Sequence, residues 1–226
     1  MAKVDQDHRT LVGLQRREKM QRRLIESALV VFSQKGIDGA VIDDVISEAG
    51  VARGTFYNYF KTTTELVIAV GEILSNELVD VIETQVRDLE DPVEILATGL
   101  RLFLHTAQQS PVYARFMSRA GMNVNAAGHL IFQYLPNHIM RAMDSGGLQV
   151  RDGATALESI VGIMLGACYG ISNRATGAAY ADEMVTYALR ALGVTDATIS
   201  QLLQLALPTI TLPEDSLLAA MNRKAL

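Results

Sequence analysis

The sequence predicts an all-α fold. Strand-like alternation is scarce, while Ala, Leu, Met, Gln and Glu recur at three- and four-residue spacing along almost the whole chain. Glycines and prolines fall mainly between these segments and read as boundaries. There is no convincing long-period repeat.

The elements follow in order. Residues 1–16 read as a flexible arm, and a first helix is predicted over about 17–36, ending at Gly36, with Leu24, Ala28, Val31 and Phe32 on one face. Short helices are predicted at about 43–49 and 53–59. A long helix runs from about 63 to 88, carrying Leu66, Val70, Leu74, Leu78, Val81, Ile82 and Val86, and stops at "DLEDP". Pro92 suits the first turn of a helix reaching about Gln109. "SP" at 110–111 starts another, ending near Gly121. A segment over about 125–144 contains Pro136, which should kink or split it. "DSGGLQVRDG" is a loop, and helices at about 153–175, 180–192 and 195–206 complete the body. "LPTITLPEDS", with two prolines, reads as an extended strap, and residues 213–226 as a C-terminal tail.

Composition bounds the class. The 226 residues are 49 % hydrophobic and 20 % charged, an ordinary globular balance with enough chain for a sizeable core. A single cysteine, Cys168, rules out an internal disulfide and fits a reducing compartment. The N-terminus lacks the apolar run of a secretory signal. The longest apolar run, "SIVGIMLGACYGIS", is too short to span a bilayer and reads as a buried helix. The expected location is the cytoplasm, with no membrane partner.

Net charge is −5, but it is unevenly placed. Residues 1–61 hold ten Lys/Arg against eight Asp/Glu, and residues 62–226 hold ten against seventeen. Arg16, Arg17, Lys19, Arg22 and Arg23 face one acid, Glu18. A mildly basic head therefore precedes an acidic body.

The stretch "VISEAGVARGTFYNYFKTTTEL" concentrates aromatics in a chain with no Trp. Ile42, Val45, Ile46 and Ala49 form one face of a short helix, and Gly50 can take the positive φ of a tight turn. Phe56 and Phe60, four apart, place a second apolar face against the first helix. This is a helix-turn-helix pattern. With Phe56 and Phe60 inward, Arg53, Thr55, Tyr57, Asn58 and Tyr59 project outward. That set offers donors and no carboxylate, which suits phosphates and base edges. A helix-turn-helix used only as structure is the alternative; the co-occurring basic arm and hydroxyl-bearing face favour DNA. For Arg16, Arg17 and Arg22, phosphate contact and a solvated helix end both stay open.

"GIDGAVIDDVISEAGVARGTFYNYFKTTTEL" resembles the DNA-binding signature of the TetR/AcrR family of bacterial transcriptional repressors. The resemblance covers about residues 17–66, with "AGV" followed by "GTFYNYF" its most specific part. It implies a three-helix helix-turn-helix DNA-binding domain over 1–61 and a helical-bundle effector-binding and dimerisation domain over 62–212. It also implies that the helix at 53–59 enters the major groove. Arg53, Gly54, Thr55, Tyr57, Asn58 and Tyr59 then form the DNA-contacting set, and Lys61 matches a phosphate-contacting position. Two positions depart from the family pattern. Ala40-Val41 stands where Thr-Thr is common, losing a hydroxyl N-cap typically worth on the order of 1 kcal/mol, though Asp43 and Asp44 favour the helix dipole. "KTTTEL" lacks the lysine usual later in that segment.

No enzyme constellation is present: no GxxxxGK[ST], CxxC, HExxH or GxSxG. His8, His105, His129 and His138 have no metal-ligand spacing, so no metal or cofactor is expected. Cys168 reads as a small buried hydrophobe rather than a sensor thiol.

In the body, Gly162, Gly166 and Gly170 recur every four residues on one helix. Each glycine costs about 1 kcal/mol in a helix interior, so an aligned set needs a compensating use. Close helix approach supplies one: tight packing in the same subunit, room for a ligand, or the homodimer interface that the resemblance implies. For an effector, the candidate lining is Phe103, Tyr113, Met117, Phe132 and Tyr134, with Asn137, His138, Cys168, Tyr169 and Asn173 among them. Such a lining suits a mostly apolar, neutral ligand; plain core filling is the alternative for each residue. The expected function is a homodimeric repressor that binds a double-stranded DNA operator and is released by a small effector. An effector-independent regulator, or a helical enzyme or interaction protein, are the other readings.

Overall fold

The computed structural model describes residues 2–120, 129–214 and 216–224. Eleven helices and no strand occur among them. They are α1 (Ala2–Lys35), α2 (Ile42–Ala49), α3 (Arg53–Tyr57), α4 (Thr63–Val86), α5 (Pro92–Gln109) and α6 (Pro111–Ala120). Then come α7 (Ile131–Asp144), α8 (Gly153–Asn173), α9 (Tyr180–Ala191), α10 (Asp196–Gln204) and α11 (Leu217–Lys224).

The chain forms two compact units, Met1–Val70 and Gly71–Lys224. The first buries Leu24, Ala28, Val31 and Phe32 of α1 with Val45, Ala49, Phe56 and Phe60. It runs past residue 61 because the opening turns of α4 bury Leu66, Val67 and Val70 in the same core. Residues 2–16, expected as a flexible arm, are helical and continuous with α1. No proline and one glycine, Gly13, occur there, so local propensity does not interrupt the helix.

In the second unit α5 is central, packing against α6, α7, α8, α9 and α10. Asp91 caps it, accepting from the Val93 N–H at 2.8 Å, with Pro92 in the first turn. Asp152 caps α8 through the Thr155 N–H at 2.8 Å, and Thr195 caps α10 through the Thr198 N–H at 3.2 Å. Length and composition alone would let α8 cross a bilayer, which takes about 20 residues. It instead buries Ile160, Met164, Ala167, Cys168 and Ile171 among its neighbours, as a core helix does.

Of the kink or split expected at Pro136, the split does not occur: α7 runs unbroken from Ile131 to Asp144. Proline weakens the hydrogen bonding of the preceding turn, and the Asn137 side-chain amide donates to the Gln133 carbonyl there at 2.7 Å. The part of that segment at 125–128 lies outside the described residues. Within the C-terminal tail, Leu217–Lys224 forms α11. Ser216 caps it through the Ala219 N–H, and Leu217, Leu218 and Met221 are buried. Its first N–H groups, Leu217 and Leu218, donate to the two Glu77 carboxylate oxygens at 3.0 and 2.9 Å. The two prolines do leave the preceding residues without regular structure.

Candidate functional site

Each unit carries one candidate site. In the first, α2 starts at Val41, which has no side-chain acceptor for the cap. The Val41 N–H donates to Asp44 Oδ2 at 3.2 Å, and Lys35 Nζ pairs with Oδ1 of the same carboxylate. Lys35, and then the Val41 N–H, hold the Asp44 carboxyl below the usual range. The missing hydroxyl is thus offset by an acid in the first turn, where the helix dipole favours it. At the other end Gly50 has φ +60°, and the Gly50 and Val51 N–H groups return to Ser47 and Ile46 carbonyls at 3.2 and 3.1 Å. A side chain strains that conformation, so glycine makes the turn that delivers α3.

Phe56 and Phe60 face inward with ring centroids 5.9 Å apart, and Phe56 is completely buried. Tyr57 sits edge-on to Phe56 yet keeps 45 % of its surface exposed. Arg53, Gly54 and Asn58 are exposed; Thr55 and Tyr59 are half-buried. The helix ends at Tyr57, so Asn58 and Tyr59 lie in the turn after it rather than within the predicted 53–59 span. Arg53 Nη1 lies 3.5 Å from Asp43 Oδ1, and Tyr57, then Asp43, raise the guanidinium above its ordinary range. Lys61 is exposed just before α4. Its N–H donates to Glu65 Oε2 at 2.7 Å, while Thr62 Oγ1 accepts from the Glu65 N–H at 3.1 Å. This near-reciprocal cap sets the lysine at the positive end of a helix, where an anion is favoured. Arg16 and Arg17 are exposed on α1; Arg22 is exposed too, but its Nε pairs with Glu26 at 2.9 Å.

The second unit holds a partly open cavity of about 120 Å³. Ser75, Val79, Ile82 and Glu83 of α4 form one wall, and Leu96, Leu100 and Phe103 of α5 another. Met117 of α6, Phe132, Leu135 and His138 of α7, and Ile160 and Met164 of α8 close it. Among the described residues, no lysine or arginine lines it. His138 Nε2 lies 2.9 and 3.0 Å from the two Glu83 oxygens, so that nitrogen donates and Nδ1 faces no partner. His129, also in the wall, is only 4 % exposed, and its Nε2 has no hydrogen-bond partner among the described residues. Burial lowers its pKa, with Glu72 opposing. The Leu130 N–H donates to Asn76 Oδ1 at 2.9 Å, which pins this turn to α4.

Of the effector candidates read from the sequence, Phe103, Met117, Phe132 and His138 line the cavity. Tyr113 and Cys168 do not; they are fully buried beside it, Tyr113 edge-on to Phe103 at 5.8 Å. Burial, then Cys168, push the Tyr113 hydroxyl well above its usual range. Burial pushes the Cys168 thiol up to about 12, as for an inert core cysteine. Tyr134 and Asn137 lie elsewhere on α7, and Asn137 bonds its own helix. Tyr169 and Asn173 are exposed, because α8 turns Ile160 and Met164 inward and those two residues outward. Gly162 and Gly166 share that outward face, with nothing within 4 Å of where a Cβ would stand. Gly170 is different: it is buried, and a Cβ there would collide with the Tyr180 hydroxyl, so it serves packing within the subunit. The α4 wall, Glu83 and His129 escaped the sequence reading. Glu83 and His138 are 55 positions apart, and no local spacing joins them.

The geometry therefore defines a helix-turn-helix protein whose helical body holds an internal ligand-sized space. A family model for "Bacterial regulatory proteins, tetR family" matches residues 24–70, and one for "Tetracyclin repressor-like, C-terminal domain" matches residues 91–202. The chain belongs to the TetR family, a family of regulatory proteins and not of enzymes. The uncharacterized HTH-type transcriptional regulator YvdT of Bacillus subtilis (strain 168) is 38 % identical over 69 residues, 30 % of this chain and 36 % of that protein. The chain thus spans about a third of that curated relative. The HTH-type transcriptional regulator SrpR of Pseudomonas putida is 24 % identical over 161 residues, 67 % of this chain and 75 % of that protein. The crystal structure of RolR in complex with resorcinol superposes with a TM-score of 0.69 at 23 % identity, covering 88 % of this chain and all of that one. That last likeness is one of fold.

Proposed function

We propose that the protein is a cytoplasmic, homodimeric transcriptional repressor that binds an operator through α2 and α3 and leaves it when a small, mostly apolar effector enters the cavity. The observation that carries this is the cavity on α4. That helix begins beside Lys61, contributes Leu66, Val67 and Val70 to the first unit, and supplies Ser75, Val79, Ile82 and Glu83 to the cavity wall. An effector pressing on that wall acts on a helix whose first turns belong to the DNA-binding unit. In a dimer, this re-spaces two heads that must fit successive major grooves. A body without a cavity would have favoured an effector-independent regulator.

Within the first unit, Arg53 and Thr55 are assigned to base edges, and Tyr57 and Lys61 to phosphates. Gly54, Asn58, Tyr59, Arg16, Arg17 and Arg22 complete the contact set. The outward face of α8, with Gly162, Gly166 and Tyr169, and the exposed Tyr187 of α9 are assigned to the dimer interface. Two exposed tyrosines, one of them on the same face of α8 as the open glycines, favour burial against a second helix pair.

Selection of bound fragments from the source genome tests the reading. A near-palindromic site with half-sites about one helical turn or a little more apart supports it. Recovery of fragments sharing no sequence would refute it.

A further inference from the structure

We propose that Glu77 is a positioning residue for operator binding: it clasps α11 to the back of α4 and so holds the helix that leads into the DNA-binding unit. This rests on the dimeric operator-binding reading above and names a contact that maintains its DNA-competent state.

Helix geometry puts Glu77 behind α4. Gly71, Ser75, Val79, Ile82, Glu83 and Val86 of that helix line the cavity. At about 100° per residue they share one face, and Glu77 lies roughly 180° round from its centre. The cavity side confines α4 less closely, so the contact on the opposite side weighs more in fixing it.

That contact is a strong one. Both Glu77 carboxylate oxygens accept from α11, one from the Leu217 N–H at 3.0 Å and one from the Leu218 N–H at 2.9 Å. Such opening N–H groups have no partner within their own helix and carry its positive end, which favours a charged acceptor. Ser216 Oγ takes the Ala219 N–H at 2.9 Å, and Leu217, Leu218 and Met221 are buried. The clasp thus ties a folded, buried element to α4 across 140 positions of chain. Asn76 makes a second tie, to the Leu130 N–H at 2.9 Å, but from the flank of α4 and not from behind the cavity.

The first turns of the same helix, up to Val70, belong to the DNA-binding unit. A two-fold operator requires two heads at one spacing, whereas a single half-site requires one head. Loosening the clasp spreads α4 over more positions. The apparent affinity for the whole operator then falls with the fraction of molecules that stay competent, while half-site binding does not change.

The test is gel-shift titration of the full chain, well below the unfolding midpoint of every variant. The probes are the palindromic duplex recovered by the fragment selection and the same duplex with one half-site scrambled. Glu77→Gln and Ser216→Ala loosen α11 from its two partners. Arg101→Met destabilises the same unit without removing a bond to α4 or α11, and serves as the control. Glu77→Gln is expected to lose about three- to tenfold in operator affinity, Ser216→Ala to lose affinity in the same direction, and Arg101→Met to match the parent. All should bind the single half-site like the parent. Removing a carboxylate by itself strengthens DNA binding, so the expected loss has the opposite sign to a charge effect. Should Glu77→Gln not fold, Ser216→Ala against Arg101→Met decides. Unchanged operator affinity in Glu77→Gln or in Ser216→Ala, equal losses on both probes, or an equal loss in Arg101→Met would each overturn the clasp and leave the dimeric reading intact. A selection that yields no palindrome, or a parent that binds both probes equally, would sink that reading and the clasp with it.

Discussion

Arg101 on α5 donates from Nε to Asp182 Oδ1 on α9 at 3.0 Å, although the arginine is only 5 % exposed. Its Nη1 donates to the Leu202 and Leu205 carbonyls at 3.1 and 2.9 Å, and Nη2 to Leu203 at 3.2 Å. One guanidinium thus pairs with α9 and caps the C-terminus of α10, whose last carbonyls lack helical partners. His105 Nε2 adds a contact to the same Asp182 oxygen at 3.0 Å.

Arg101→Met should therefore destabilise the second unit by on the order of 3 kcal/mol, the lower end of what breaking a buried ion pair costs. The low end applies because Asp182 keeps His105 and some solvent. Urea unfolding followed by circular dichroism measures it. A loss within experimental error would show that the carbonyls of α10 find water instead.

Partial burial raises the Asp182 carboxyl, but hydrogen bonds from Arg101 and His105 outweigh it and leave the group below the ordinary range of an aspartate. A carboxyl depressed in the folded state stabilises above its unfolded pKa, and that contribution is lost as pH falls through the folded value. Wild-type stability should drop on acidification below about pH 4, and Asp182→Asn should flatten that part of the profile. Thermal melts from pH 3 to 6 on both proteins (about half-unit steps suffice) check this. Parallel profiles would refute it.

On the DNA face, Lys61→Ala and Tyr57→Phe should weaken binding to operator and scrambled DNA alike, with Lys61→Ala lowering the salt slope by about one unit. Arg53→Ala should relax preference at particular base pairs. Because Asp43 lies 3.5 Å from Arg53, Asp43→Asn should free the guanidinium and strengthen binding to both DNAs. Gel-shift titrations decide; three weakened-contact variants that bind like the parent would remove this face from consideration.

Gly166→Leu should split the dimer without unfolding the chain, since nothing in the subunit lies within 4 Å of the added Cβ. Gly170→Leu should instead lower stability, because it meets Tyr180 in its own subunit. Sedimentation with circular dichroism distinguishes the two. A wild-type monomer at micromolar concentration would end the interface assignment.

Glu77→Gln should loosen α11, since the neutral amide keeps one acceptor for the Leu217 and Leu218 N–H groups and loses the charge at the helix start. Hydrogen bonds to a charged group contribute about 1.5–3 kcal/mol, so a stability loss of roughly half that range is expected. Hydrogen exchange over residues 217–224 reads it directly. Unchanged protection there would mean that burial of Leu217, Leu218 and Met221 alone holds the helix.

The chain's local patterns determined most of the helices, the glycine turn between α2 and α3, and the exposure of Arg53, Tyr57, Asn58 and Lys61, while Thr55 and Tyr59 are half-buried. These are legible because periodicity, capping and a left-handed glycine act over a few residues. Tertiary structure decided the rest. Residue type alone suggested Tyr169 and Asn173 for the effector, but the facing of α8 turned them to the surface. Gly162, Gly166 and Gly170 look equivalent in spacing, yet Tyr180 covers only the last. The Glu83–His138 pair and the Arg101–Asp182 latch join residues far apart in the chain. Their chemistry arises when packing removes water and forces each polar group to find a partner or remain without one.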